Sequence, residues 1–151
     1  MAGRVCGAIF IGVALLAGAR DLRAQGDPWQ RQVQQGLERS AALLRAQGYR
    51  PTGEERRSEL ILGESVVLHF TLSAGGSYAI VGICDDDCGG LNLVLSDPTH
   101  YEVDADRGGG TVPIMRATPA RPGEYRVQVT MVVCRVSPCR YAVAVYRKAG
   151  R

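Results

Sequence analysis

The residues with the clearest potential for chemistry lie in one short stretch, CDDDCGG, which runs from Cys84 to Gly90. It places three carboxylates between two sulfurs and ends in two glycines. Such a stretch is typical of a metal site, of a redox switch or of a turn that a disulfide holds. The choice among the three depends on the compartment of the protein and on the elements that flank the stretch.

The spacing of the cysteines favours disulfides over zinc. Cys84 and Cys88 have three residues between them, and Cys134 and Cys139 have four, whereas zinc knuckles mostly use tighter pairs. The C-x-x-C pattern of redox catalysts is absent. We expect the two local bonds, Cys84–Cys88 and Cys134–Cys139. Cross-pairing between the two loops is the alternative, and it would give a linked Cys84–Cys134 peptide when the chain is digested without reduction.

The aspartates make calcium the other cofactor to consider, because calcium prefers hard oxygen ligands. The helix-loop-helix calcium motif is excluded, since Cys88 and Gly89 interrupt it and Ser96 stands where its final Glu belongs. Four aspartates are candidates for a loop site of another kind: Asp85, Asp87, Asp104 and Asp106. The alternative is that these side chains start and cap turns by accepting bonds from nearby backbone N–H groups. We predict no other cofactor.

Residues suited to catalysis are few. His69 lies in a strand pattern, and His100 lies in the turn SDPTHY, where the held geometry of a hydrolytic triad is rare. No nucleophile elbow or zinc-protease helix motif occurs. We therefore predict no catalytic residues and no enzymatic activity.

Tyrosines offer a further possibility, which is a face that binds sugar or peptide. The residues in question are Tyr78, Tyr101, Tyr125, Tyr141 and Tyr146. Tyrosine is also simply favoured in strands, and we prefer that interpretation.

The first 24 residues have the pattern of a signal peptide. Arg4 gives a basic start, the run from Val5 to Ala19 is apolar, and small residues favour cleavage after Ala24 or, as the alternative, after Ala19. The apolar run is shorter than the roughly twenty residues of a membrane-spanning helix, so an uncleaved anchor is the weaker interpretation. The predicted location is periplasmic or secreted in a bacterium, with no membrane attachment after cleavage.

Cleavage would change the charge and the cysteine count. Residues 1–24 hold three arginines and one aspartate, so their removal lowers the formal net charge from +3 to +1. No basic patch remains, and we do not expect nucleic acid as a partner. Four cysteines remain, an even number that agrees with two disulfides in an exported chain.

Residues 25–49 predict an amphipathic helix. Asp27 is suited to cap it, Pro28 to its first turn and Gly48 to its end, while Gly36 weakens its interior by about 1 kcal/mol relative to alanine. An apolar stripe recurs at helical spacing and comprises Trp29, Val33, Leu37, Ala41 and Leu44. We expect the stripe to cover an edge or a face of the following domain. The alternative is a helix that binds a partner protein, through Trp29, Val33 and Leu37.

The rest of the chain predicts an all-β domain. The apolar pattern changes to the period of two that strands show, so that in SVVLHFTL Phe70 and Leu72 face one side and His69 the other. Eight such runs, separated by Gly, Pro and Asp turns, predict an eight-stranded antiparallel β-sandwich or jelly roll preceded by the helix. The predicted segments are a linker over 50–58, the sandwich over 59–147 and a C-terminal tail over 148–151.

Three stretches of this domain resemble the bacterial pre-peptidase C-terminal domain. They are LILGESVVLHFTLSAGGSYAIVGICDDDCGGLNLVLSDP, VDAD and TPARPGEYRVQVTM. The resemblance implies a secreted, non-catalytic jelly-roll module, usually attached behind a peptidase, and some members bind calcium or a polymeric substrate. Asn92 stands where the family often has Asp, and His100 where it has Gly, which argues against carrying over a calcium site.

The function predicted from the sequence is that of an exported, non-catalytic binding or assembly module. Its expected partner is an envelope protein, a secreted protein or a polymer. The alternative is a calcium-stabilised module that recognises a polymer or a peptidase.

Overall fold

A computed structural model describes residues 27–150, so the predicted signal peptide over residues 1–24 lies outside the described residues. One helix is followed by eight strands. The elements are α1 (Pro28–Ala46), β1 (Tyr49–Leu60), β2 (Ser65–Leu72), β3 (Tyr78–Cys84), β4 (Cys88–Ser96), β5 (Glu102–Asp106), β6 (Ile114–Ala117), β7 (Gly123–Cys134) and β8 (Cys139–Lys148).

The strands form two antiparallel sheets of four. The first sheet has the order β1-β8-β3-β6, and the second has the order β2-β7-β4-β5. Their inner faces enclose one core that includes Phe70, Leu93, Val127 and Tyr141. The all-β prediction is confirmed, including the number of strands, the β-sandwich and the preceding helix.

Burial differs between the sheets because the helix covers only one of them. In β2, β4 and β7 buried residues alternate with more exposed ones, and Phe70 and Leu72 face the core as predicted. All seven residues of β3 are buried. The two faces of this strand contact different clusters: Ile80 lies in the core between the sheets, whereas Val81 and Ile83 pack beneath α1. The outer face of the β2-β7-β4-β5 sheet has no such cover among the described residues.

The helix begins and ends where the sequence predicts. The Asp27 carboxylate accepts a hydrogen bond from the Trp29 backbone N–H at 3.1 Å, and Gly48 has the positive φ of +85° that suits a residue after a helix. Val33 and Leu37 are buried against the first sheet. The stripe therefore covers a face of its own domain, and the alternative that assigned these two side chains to a partner protein is wrong. Trp29 is partly exposed.

Residues 50–58, predicted to be a linker, belong to strand β1. Their polar composition was misleading, because β1 is an edge strand and pairs only with β8. Edge strands often carry charged residues, which discourage pairing with other chains. The pairing is irregular between Pro51 and Glu55, where Gly53 has a φ of +88°, and proline is tolerated at such a position.

Gly36 marks the closest approach of the helix to the sheet. A Cβ atom built on Gly36 would lie 2.4 Å from Cγ2 of Ile83, a side chain that is itself buried. Helix propensity alone would make Gly36→Ala stabilising by about 1 kcal/mol. We expect the opposite, a net loss of about 1–2 kcal/mol in the free energy of unfolding, because overpacking a core costs more than that gain. Chemical denaturation would measure it.

The control for this substitution is Gln35→Ala, one residue earlier on the exposed side of the same helix. It is expected to change stability by less than about 0.5 kcal/mol. A Gly36→Ala protein that is more stable than the wild type would show that α1 does not pack this closely on β3.

Candidate functional site

The four cysteines form two disulfides, Cys84–Cys88 and Cys134–Cys139, with Cα–Cα distances of 5.8 Å in each. The local pairing is thus confirmed. Cys88 and Cys134 are paired residues of β4 and β7, so both bonds lie at the same end of the sandwich. Two disulfides indicate a non-reducing, extracytoplasmic environment.

Asp85 acts as a cap for the backbone around these bonds. Its side chain is 2% exposed. One carboxylate oxygen accepts from the Cys88 N–H at 3.1 Å, and the other accepts from the Arg140 N–H at 2.8 Å. Burial raises the pKa of Asp85, because the cost of removing the charge from water outweighs the effect of the two hydrogen bonds. Both oxygens are directed to the backbone rather than to a ligand.

Asp86 and Asp87 attach the same loop to the start of the helix. The Asp87 carboxylate accepts a hydrogen bond from the Trp29 indole N–H at 2.8 Å, and the Asp86 backbone N–H donates to the Gln32 side chain at 3.2 Å. Arg140 forms an ion pair with Asp27 at 3.1 Å, and its guanidinium lies 5.1 Å from the centre of the Trp29 ring. The loop CDDDCGG is therefore a disulfide-held turn that fixes the helix.

Asp104 and Asp106 lie elsewhere and close the open side of the sandwich between β5 and β6. Asp104 accepts from the Arg116 backbone N–H at 2.7 Å, and Asp106 accepts from the Ile114 backbone N–H at 3.0 Å. Carboxylates of one edge strand thus satisfy backbone donors of the edge strand of the other sheet. This arrangement replaces strand pairing along that side.

The candidate calcium ligands Asp85, Asp87, Asp104 and Asp106 do not form one site, because these aspartates are held apart. Asp106 pairs with Leu93 on β4, five residues from Cys88, which corresponds to about 16 Å along the strand. Within residues 27–150 no three Asp, Glu, His or Cys side chains come together in a way that could hold a metal ion. Each of the four has a backbone or indole donor as its partner instead.

The histidines and tyrosines are placed by the fold in different ways. His69 forms an exposed pair with Glu124 at 2.8 Å, and in the described part of the chain neither histidine is hydrogen-bonded to a serine, threonine or cysteine side chain.

Four of the five tyrosines considered for a binding face are buried, namely Tyr78, Tyr125, Tyr141 and Tyr146. Tyr125 donates its hydroxyl to the Arg121 carbonyl at 3.1 Å, which fixes the start of β7. Tyr101, in contrast, is 73% exposed.

A cleft of about 680 Å³ lies between the helix and the CDDDCGG loop. Its lining includes Leu43, Val112 and Arg135. Arg135 is already engaged there, since its side chain donates to the Asp86 carbonyl and its backbone N–H donates to the Asp87 carbonyl at 2.8 Å. Much of the polar lining of this cleft therefore serves to hold the loop.

A smaller cavity of about 220 Å³ opens on the outer face of the second sheet. Its lining consists of Val67, Ser96, His100, Arg126 and Gln128. The pairing of β2, β7 and β4 explains why they meet: His69, Arg126 and Ser96 form one row across the strands, and Val67, Gln128 and Val94 form the next. We define these five lining residues as the outer-face site.

The loop between β4 and β5 supports one side of the outer-face site. The Asp97 carboxylate accepts hydrogen bonds from the Thr99 hydroxyl at 2.7 Å, the Thr99 N–H at 2.8 Å and the Tyr101 N–H at 2.9 Å. These bonds, chiefly that from the Thr99 hydroxyl, lower the pKa of Asp97. The loop holds His100 at a φ of +73°, a conformation uncommon for residues other than glycine.

The sequence prediction missed Arg126, Gln128 and Ser96. The outward direction of Arg126 and Gln128 was readable from the alternation with the buried Tyr125 and Val127, and that of Ser96 from its position after the buried Leu95. Their convergence was not readable, because it depends on the pairing of three strands that are far apart in the chain.

Comparison with known proteins adds no relative. No protein-family model matches the chain, and none of the curated proteins is significantly similar to it. Over residues 27–150 the structure contains no helix that is both long and apolar enough to cross a bilayer.

Proposed function

We propose that the chain is an exported, non-catalytic binding or assembly module, comparable in role to the pre-peptidase C-terminal domains that it resembles. The observation that carries the proposal is the asymmetry of the sandwich. The helix occupies the outer face of one sheet, whereas the outer face of the other carries the outer-face site. A periplasmic or secreted location agrees with the two disulfides.

The proposal assigns binding to the second sheet and not to the helix. Among the described residues, His69 is paired with Glu124 on the exposed surface, and His100 belongs to the lining of the outer-face site, where the proposal gives it a role in binding. The proposed partner is an envelope protein, a secreted protein or a polymer, because these occur in the proposed compartment. Export itself depends on residues 1–24, for which the sequence pattern is the support.

The test combines location with binding. The full chain, produced in a bacterial host, is expected in the periplasm or the medium. Mass spectrometry should show that residues have been removed from its N-terminus. It should then sediment with isolated cell-envelope material. A chain that keeps residues 1–24 and stays in the cytoplasm, or one that binds no envelope fraction, would contradict the proposal.

Two matched variants locate the binding surface. Val67→Glu changes an exposed apolar residue on the second sheet, and Leu43→Glu makes the same kind of change on the helix α1. Val67→Glu is expected to reduce co-sedimentation at least tenfold, while Leu43→Glu leaves it unchanged. The reverse result would place binding on the helix side and refute the assignment to the second sheet.

A further inference from the structure

The outer-face site has polar side chains that the protein itself does not use. Within residues 27–150, Arg126, Gln128, Ser96 and His100 have no hydrogen bond or ion pair through their side chains. Several other arginines of the described chain are engaged in ion pairs, for example Arg107 with Glu102 and Arg140 with Asp27. Arg126 is also half-buried rather than free in solvent. A guanidinium in such a position is available to a ligand.

The chemistry of the lining defines the charge of that ligand. A guanidinium, a carboxamide, a hydroxyl and an imidazole all offer hydrogen-bond donors, and the lining contains no carboxylate. The nearby acids already have partners, because Glu124 is paired with His69 and Asp97 accepts bonds within its own loop. An anion is therefore complementary to this cavity. The planar guanidinium matches a carboxylate in particular, which it binds through two parallel hydrogen bonds.

The size and the neighbours of the cavity indicate what carries the carboxylate. A volume of about 220 Å³ is below the roughly 300–1,000 Å³ typical of pockets for drug-sized ligands, so it suits one small unit of a larger molecule. Val67 gives the lining an apolar side chain, and Val94 lies in the same row on the other side of Gln128. Tyr101, next in the chain to His100, projects a largely exposed ring from a loop that five hydrogen bonds hold in place.

The hydrogen bonds hold the backbone of Tyr101 directly after the lining residue His100, so its exposed ring adds an amphipathic aromatic surface next to that residue in the chain. Sugar units are amphipathic in the same way, with C–H faces and hydroxyl edges. His100 also has a positive φ, so the loop keeps an uncommon backbone conformation at this lining residue. Such conformations cluster at functional sites.

We propose that the outer-face site binds the carboxylate of an acidic saccharide unit, with Arg126 as the main contact. The inference rests on the proposed binding function and deepens it by naming the ligand class: a polysaccharide that contains uronic acid. Arg126 pairs with the carboxylate, Gln128 and Ser96 donate hydrogen bonds to it or to neighbouring hydroxyls, and Tyr101 covers a face of the sugar.

The experiment measures the affinity of the full chain for oligogalacturonate by titration calorimetry, with the same oligomer methyl-esterified as the uncharged comparison. Arg126→Ala is expected to weaken binding roughly 10- to 100-fold, which is the value of a hydrogen-bonded charge pair. Arg39→Ala is the matched control, since it removes the same charge from an exposed arginine on the helix, outside the site. It should leave the affinity unchanged. Circular dichroism should show that both variants fold like the wild type.

Four outcomes would overturn the inference. Equal weakening by Arg126→Ala and Arg39→Ala would show non-specific attraction, and equal affinity for the esterified oligomer would show that the carboxylate is not recognised. Tighter binding of polyglutamate than of the saccharide would assign the site to acidic peptides. If the wild type sediments with envelope material but shows no binding to oligogalacturonate, the ligand class is wrong and the general binding function stands.

Discussion

Replacing Asp85 by alanine is expected to lower the free energy of unfolding by about 2–3 kcal/mol, because it leaves a buried backbone donor without a partner. The Arg140 N–H donates to this carboxylate at 2.8 Å. The Cys88 N–H loses one of two acceptors, since it also reaches the Asp85 carbonyl at 3.1 Å. Urea denaturation with both disulfides intact would measure the loss.

The effect of Asp85→Ala should also depend on pH. The pKa of Asp85 is raised above its ordinary value of 3.8, so the folded state holds the proton more tightly than the unfolded state does. The stability that the wild-type side chain contributes is therefore greatest below pH 3.8, and part of it is lost as the pH rises through the raised value. The difference in stability between wild type and Asp85→Ala should shrink over that interval.

Two variants control for this result. Asp86→Ala removes the same carboxylate one residue later, where the side chain is exposed, and should change stability by less than about 0.5 kcal/mol. Asp85→Asn keeps the shape but places an N–H₂ group where an oxygen accepts, so an intermediate loss is expected. If Asp85→Ala and Asp86→Ala lose the same amount, the caps on Cys88 and Arg140 do not matter for stability.

Leu37→Ala is expected to destabilise the protein by about 2–4 kcal/mol, the usual range for a leucine truncated in a core. Leu37 is 4% exposed and belongs to the cluster that α1 forms with β3 and β8. Leu43 lies on the same helix and is 67% exposed, so Leu43→Ala is a matched control with an expected change below about 0.5 kcal/mol. Thermal and chemical unfolding would compare the two.

This pair also distinguishes the two roles considered for the helix. If α1 left the sheet to bind a partner, Leu37 would spend its time in solvent and its truncation would be as harmless as that of Leu43. A large difference between the variants ties the helix to its own domain.

Much of the fold is predictable from the sequence because its signals are local. The alternation in β2 gives both the strand and the burial of Phe70 and Leu72. Asp27, Pro28 and Gly48 mark the ends of the helix within a residue or two. The disulfides were predicted from the short spacings and from the even number of cysteines that follow the predicted signal peptide. Most of strand β1 was assigned to a linker, over residues 50–58, because an edge strand with charged side chains on both faces has no apolar alternation to detect.

The candidate site was less predictable because it depends on strand order. Asp85 and Asp106 look alike in the sequence, but one lies in a turn between β3 and β4 and the other on an edge strand. Arg126 joins Ser96 only through the pairing of β7 with β4. Neither the separation of the aspartates nor the assembly of the outer-face site has a signature in residue spacing.

The described chain enters and leaves the sandwich at opposite ends. Asp27 contacts Arg140 near the start of β8, whereas Lys148 ends the same strand, about 26 Å away at the rise of an extended chain. Groups attached before Asp27 and after Gly150 would therefore be separated by about the length of a strand. Two fluorophores attached at these positions would report that separation, and loss of their fixed distance would report the detachment of α1.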